Sequence, residues 1–254
     1  MSTVTRLTRP PQATRFLRLP FDFEVSALQQ DLQRLQHLQN PVWLDHYNHS
    51  AHQKRWACLP LRSLGGSIQD IFAQNEGNFL DTPLLAACPC FQKVLASFTC
   101  ETTSVRLMTL AAGGRILPHT DPGGGFEDGV ARLHIPIVTD PRVVFCIDGE
   151  TIHFSAGHTW YMNANCTHAV DNASAIERIH LVIDCIPNDW LKQVFIDSGW
   201  RPNPPPKYGD PSITDENVGA IIAALRSSGN SGGGNTQALQ LAEQLTLIQT
   251  KHRA

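Results

Sequence analysis

From Ser104 onward the chain is a succession of short runs rich in β-branched and aromatic residues, cut apart by Gly, Pro, Asp and Asn. Such runs lie near 104–111, 115–119, 131–138, 143–148, 151–154, 159–163, 167–171 and 176–185. They are strand-length and regularly punctuated, which predicts a mainly β sandwich or jelly roll. Asp148-Gly149 between two of the runs is a strong signal for a two-residue hairpin turn.

Helical patterns flank this region. Leu28, Leu32 and Leu35 recur at helical spacing in Val25 to His37, with Ser26 as a candidate cap. Residues 40–66, with Trp43, Trp56 and Leu59-Pro-Leu-Arg62, read as short strands and turns. A helix is expected over 83–98, capped by Asp81 or Thr82. Beyond Trp190 the pattern predicts a helix to Trp200, an extended Pro-rich connector over 202–211 and a helix over 214–226. A flexible linker over 227–235 and a last helix over 236–251 follow. Residues 1 to about 25 read as a loose arm leading into a first strand. The expected division is a mainly β domain over 1–190, N-terminal arm and helices included, and a helical region over 191–254, either packing or a lid.

The chain of 254 residues is long enough for one sizeable core. Its formal net charge of −3, with no long basic run, argues against a nucleic-acid partner. Seven scattered cysteines without a CxxC pair read as reduced thiols, and hence a cytoplasmic protein. No run approaches the roughly 18 apolar residues that span a membrane, so no membrane partner is expected.

The chemistry concentrates in a few positions. In a strand, residues i and i+2 share a face, so His119 and Asp121 can converge. A later strand offers His168. Two histidines and one carboxylate on one side of a metal leave three positions open, the arrangement of non-haem Fe(II) oxygenases. The open positions suit a chelating keto-acid and dioxygen. Arg178 lies in an apolar strand ten residues after His168. Burying it calls for an anion, and the far carboxylate of 2-oxoglutarate fits. Glu177 or Asp184 could pair with it instead. Arg132 and His134 share one face of their strand, either beside the metal as an anion site or facing solvent. Four further histidines, His37, His46, His49 and His52, read as surface or loop residues.

In order along the chain, VRLMTL (105–110), ILPHTD (116–121), RLHIPIVT (132–139), FCIDG (145–149), GHTWYMN (157–163), HAVDN (168–172) and RIHLVID (178–184) resemble the aspartyl/asparaginyl β-hydroxylase family of Fe(II)/2-oxoglutarate-dependent dioxygenases. Weaker similarity runs back through HYN (46–48), Trp56, LPLR (59–62) and TPLL (82–85). The resemblance implies a double-stranded β-helix (a cupin-like jelly roll), with N-terminal helices and a helical C-terminal region. It also implies that Arg178 grips the distal carboxylate of 2-oxoglutarate, with Arg132 and His134 contacting the same molecule. Animal members that act on folded protein modules lack the metal-binding carboxylate that this chain keeps as Asp121. In this the chain resembles bacterial members acting on free amino acids, such as proline cis-4-hydroxylases. A serine that binds 2-oxoglutarate in the animal enzymes aligns with Met108.

The expected function is hydroxylation of an unactivated C–H in a free amino acid or related small molecule, with succinate and CO2 as co-products. Fe(II), 2-oxoglutarate and dioxygen are the expected cofactors, and His119, Asp121 and His168 the metal ligands. Arg106, two positions from Met108, is a candidate for a substrate carboxylate, and Asn48 and Trp56 lie in the substrate-side stretch. For these three, ordinary packing or surface placement is an equal reading. The Gly-rich segment 122–129 follows the ligand pair and is a candidate to close over substrate. Two other functions compete: β-hydroxylation of Asp or Asn in a peptide or protein, and a metal-binding cupin that never meets oxygen.

Overall fold

The computed structural model describes residues 14–38, 43–202, 206–210, 212–230 and 236–251. Most of the expected N-terminal arm therefore lies outside the described residues. The chain opens with β1 (Phe16–Asp22), α1 (Val25–His37), β2 (Leu44–Asp45), β3 (His52–Gln53), β4 (Trp56–Leu64) and β5 (Phe79–Asp81). It continues with α2 (Pro89–Ala96), β6 (Glu101–Leu110), β7 (Arg115–His119), β8 (Ala131–Val138), β9 (Val143–Ile147) and β10 (Glu150–Ile152). The last elements are β11 (His158–Met162), β12 (His168–Asn172), β13 (Arg178–Ile186), α3 (Asp189–Asp197), α4 (Val218–Asn230) and α5 (Thr236–Lys251).

The strands form two antiparallel sheets. The larger runs β1-β11-β8-β13-β6-β4-β2, with β5 on β4, and the smaller runs β10-β9-β12-β7-β3. This is the expected jelly-roll core. The larger sheet is covered on both faces, so β6 and β13 are buried along almost their whole length. Its outward residues, among them Leu107, Leu133, Leu181 and Ile183, join Leu28 and Leu35 of α1, Phe91 of α2 and Phe195 of α3 in one apolar core. Its inward residues Cys58, Met108 and Val182 meet Ile116, Phe145, Ile147 and Val170 of the smaller sheet. Alternation along the strands then turns Arg106, Arg132, His134, Arg178, His180 and Asp184 to the same inward side.

Several local details depart from the sequence reading. The N-cap of α1 is Glu24, and it makes no side-chain cap bond, so Ser26 lies within the first turn. The helix expected over 83–98 is broken. Pro89 disfavours a helical Cys88, leaving a single 3-10 turn over Leu85–Ala87 before α2 starts with Pro89 in its first turn. Buried Asp31 of α1 caps α2, accepting from the amides of Cys90 (2.6 Å) and Phe91 (2.9 Å). The hairpin at Asp148-Gly149 forms as expected, with φ of 46° and 79° and Ile147 paired with Glu150.

The first compact unit ends at Pro202 and includes α3, whose Leu191 and Phe195 are buried in the outer core. The expected boundary at 190/191 falls within α3, between Trp190 and Leu191. In the second unit, α4 and α5 pack through Val218, Ile222, Ala242 and Leu245. α4 runs through Asn230, so the start of the expected linker is helical, and residues 231–235 lie outside the described residues. Within the expected connector, Pro206 to Asp210 forms a turn closed by Gly209 N–H on the Pro206 carbonyl at 2.8 Å, and 203–205 and 211 lie outside the described residues. No helix among the described residues is long and apolar enough to cross a membrane.

Candidate active site

Strands β7 and β12 are neighbours in the smaller sheet, and their register sets His119 opposite His168. The pairing passes from Ile116↔Val170 to His119↔His168, three steps on β7 against two on β12. One extra residue therefore bulges out of β7 at Leu117-Pro118. The bulge returns His119 to the inward face that Ile116 also occupies; plain alternation would point it away. Asp121 follows just past the strand end, its amide donating to the Ala164 carbonyl at 2.9 Å.

These three side chains converge. One ligand atom from each of His119, Asp121 and His168 lies within 4.8 Å of the others. His119 Nε2 is 3.8 Å from Asp121 Oδ1. His119 Nδ1 is 2.8 Å from the Leu117 carbonyl and His168 Nδ1 is 2.9 Å from that of Cys166. Each Nδ1 therefore carries the proton and donates, which leaves each Nε2 lone pair free for a metal. Burial, with the nearby His119, holds the His168 pKa below its ordinary value, and so keeps the imidazole neutral. The set suits a divalent first-row metal, with one face of the coordination sphere left open.

The same cavity, about 740 Å³ including its open mouth, is lined by the three ligand candidates together with Arg178, Arg132, His134, Arg106, Asn48 and Trp56. Arg178 is only 2% exposed, yet among the described residues no carboxylate takes it and its Nε has no hydrogen-bond partner. The two expected competitors are engaged elsewhere. Glu177 accepts from the Thr109 hydroxyl at 2.8 Å, and Asp184 holds two other arginines. Burial pulls the Arg178 pKa down to about 10, which still leaves the guanidinium charged at neutral pH. A buried cation without a counter-charge is a site for an anion. His134, also lining the cavity, has an unpartnered buried Nε2. Its Nδ1 lies 3.5 Å from Nδ1 of fully buried His180, and burial beside Arg178 keeps both imidazoles neutral.

Arg132 faces the cavity but is already held. Its Nε and Nη2 donate to Asp184 at 2.7 and 3.3 Å, and its Nη1 donates to Asp121 Oδ2 at 3.2 Å. Burial opposes its charge, but the adjacent carboxylates of Asp184 and Asp121 outweigh that and raise its pKa. Arg106, expected to meet a substrate carboxylate, uses both terminal nitrogens within the protein: Nη2 on Asp184 (2.8 Å) and Nη1 on the Ile71 carbonyl (3.0 Å).

Toward the mouth, His46 stacks on Trp56 with ring centroids 3.4 Å apart, Tyr47 stacks on His46, and exposed Phe72 stacks on Tyr47. His46, expected as a surface or loop residue, follows β2 in a loop but is not at the surface. It is 5% exposed, and burial, with Arg106 nearby, pushes its pKa down to about 3. Trp56 lies 6.5 Å from the His119 ring, and half-buried Asn48 accepts from Ser50. The segment 122–129, considered above as a cover, is pinned by Phe126. Its ring stacks on Phe195 at 4.0 Å and its amide donates to the Tyr161 hydroxyl at 3.0 Å. Gly125 packs so closely that an added Cβ would meet Asn165 Nδ2 at 2.4 Å.

An antiparallel jelly roll carrying two histidines and a carboxylate at one point, with an unpaired arginine inside, defines a 2-oxoglutarate-dependent dioxygenase. The family model for aspartyl/asparaginyl β-hydroxylase matches residues 22–187, and the chain belongs to that family. Among solved structures, it is similar to a 2OG-Fe(II) oxygenase family oxidoreductase from Burkholderia pseudomallei (14% identity, 68% of this chain and 85% of that one, TM-score 0.44). It is also similar to SnoN, a non-haem α-ketoglutarate-dependent epimerase from nogalamycin biosynthesis (9% identity, 68% and 78%, TM-score 0.45). A third likeness is to the non-haem monooxygenase ThoJ in a nickel complex (15% identity, 68% and 73%, TM-score 0.41).

Proposed function

We propose that this dioxygenase hydroxylates an unactivated C–H bond of a free amino acid or amino-acid-derived small molecule. The observation that carries the reading is Arg178, a buried guanidinium without a protein anion, in the cavity where His119, Asp121 and His168 converge. The three ligands would hold Fe(II), and Arg178 would bind the distal carboxylate of 2-oxoglutarate through two parallel hydrogen bonds. His134, whose unpartnered Nε2 lines the same cavity, would serve the same molecule. When bound, iron, 2-oxoglutarate and dioxygen supply the oxidising chemistry, with succinate and CO2 released. The protein's part is to orient the C–H bond and to keep water out; Phe145, Met162 and Val170 give the inner cavity apolar walls.

The charges in and around the cavity support a substrate that carries a carboxylate. Among the described residues, the buried or cavity-lining charges are Arg106, Arg132 and Arg178 against Asp121 and Asp184, with Glu177 acting on Arg178 from an exposed position, while buried His46 and His134 stay neutral. A divalent metal and a dicarboxylate cancel each other, so one positive charge is left over. Asn48 and Trp56 would line the substrate side.

A second reading, hydroxylation of Asp or Asn in a peptide, draws on the family's own description and on the exposed Tyr47 and Phe72 at the rim. Incubation with Fe(II), 2-oxoglutarate and either free amino acids or peptides separates the two. Succinate release and a one-oxygen mass gain with free amino acids are expected. Gain on peptides alone would establish the second reading. Absence of succinate with every substrate would leave a metal-binding cupin.

A further inference from the structure

Asp121 lies just past the end of β7 with its side chain 44% exposed, so local structure alone does not fix its carboxylate. Oδ1 faces His119 Nε2, while Oδ2 accepts from Arg132 Nη1. Arg132 is a long side chain and would itself need an anchor. The β13–β8 register places Asp184 directly opposite it, 1% exposed, with Oδ1 on Arg132 Nε at 2.7 Å. The other oxygen of Asp184 takes Arg132 Nη2 at 3.3 Å and Arg106 Nη2 at 2.8 Å. Arg106 in turn holds the Ile71 carbonyl at 3.0 Å.

We infer that Asp184 is a positioning residue for the metal-binding carboxylate. By gripping the Nε/Nη2 edge of the Arg132 guanidinium with both its oxygens, it aims Nη1 at Oδ2 of Asp121 and leaves Oδ1 turned toward the two imidazoles. The rigid planar fork makes this possible, because the direction of one N–H pair sets that of the others. Through Arg106 the same carboxylate secures Ile71, next to Phe72 on the rim. Asp184 touches neither metal nor substrate, and its effect passes through Arg132. This inference rests on the metal-centre reading above.

The test is Mn(II) binding to the protein without 2-oxoglutarate or oxygen, read from the electron paramagnetic resonance signal of free Mn(II). Asp184→Asn alone would leave buried Arg106 without a counter-charge and Arg132 with Asp121 alone, so the comparison is Arg106→Gln against the double variant Arg106→Gln/Asp184→Asn. The double variant loses one buried charge of each sign relative to wild type. With folding verified by circular dichroism, the double variant should bind Mn(II) about tenfold more weakly than Arg106→Gln, the scale of loss when an outer partner of a metal ligand is removed. Equal affinities would overturn the inference. Arg132→Lys gives a second route, since an ammonium can stay beside Asp184 but cannot span to Asp121. It too should weaken Mn(II) binding about tenfold, and wild-type affinity would overturn the inference. Failure of the wild-type protein to bind Mn(II) at all would instead remove the metal-centre reading.

Discussion

His119 and His168 stand opposite each other in adjacent antiparallel strands with ring centroids 4.3 Å apart, and each hands its Nδ1 proton to the carbonyl two residues before it. The backbone thus sets both tautomers before any metal arrives. Neither ring is needed to hold the strands together, since the pairing is between main chains. His168→Ala should therefore abolish stoichiometric Fe(II) binding and turnover while leaving the fold intact. Equilibrium dialysis with Fe(II) under anaerobic conditions, beside a circular dichroism spectrum, checks both halves.

Arg178 makes a prediction of opposite signs. Its charge is buried with the Phe145 ring 6.0 Å away but no carboxylate partner among the described residues, so Arg178→Met should raise the melting temperature of the ligand-free protein. The same change should weaken 2-oxoglutarate binding by roughly ten- to a hundredfold, since a charge-assisted hydrogen bond contributes about 1.5–3 kcal/mol. Calorimetric titration of the metal-loaded protein measures the second effect. Unchanged 2-oxoglutarate affinity would dismiss Arg178 as the carboxylate anchor.

Stability should fall as the solution is acidified below the ordinary histidine pKa. His134 and His180 are held neutral far below 6.5, and His46 down to about 3. The unfolded chain takes up these protons near pH 6.5 and the folded chain refuses them, so the folded state loses ground with falling pH from that point. Each such group contributes about 1.4 kcal/mol per pH unit within the window. Urea unfolding at pH 7 and pH 5 measures the slope. His180→Phe, which retains the stack on Phe145, should make it shallower by about one histidine's share. An equal slope in variant and wild type would show that His180 titrates normally.

Phe126 ties the glycine-rich segment after Asp121 to the outer core through Phe195, Tyr161 and Trp200. Phe126→Ala should cost about 3–5 kcal/mol of stability, the range for truncating a buried aromatic. Hydrogen exchange at the amides of residues 123–129 should also accelerate relative to those of β8. Unaltered exchange there would mean that hydrogen bonds, not the Phe126 ring, hold the segment.

The strand pattern and the helix over 25–37 were readable because each depends on alternation, spacing or turn chemistry within one segment. β7 and β8 match their expected limits, as does α1. What escaped depends on partners far apart in the chain. Asp184 was named only as a possible partner for Arg178; the register that sets it against Arg132 cannot be read from one strand. For Arg106 substrate binding and packing stand as equal readings in the sequence, because the partners that decide for packing are Asp184, far along the chain, and the Ile71 carbonyl in an irregular loop. His46 was set aside although its neighbours in His46-Tyr47-Asn48 had drawn notice, because its burial comes from stacking on Trp56. The bulge that turns His119 inward left its trace only as Pro118, a residue that cannot donate to a ladder.

The seat of Phe126 on α3 bears on how far this chain can be shortened. A fragment stopping at Trp190 would retain every strand and each ligand, yet it would strip away Phe195 and Trp200, the floor beneath the glycine segment. Such a fragment should yield a barrel whose entrance sags beside Asp121, whereas one carried through Pro202 keeps that floor in place.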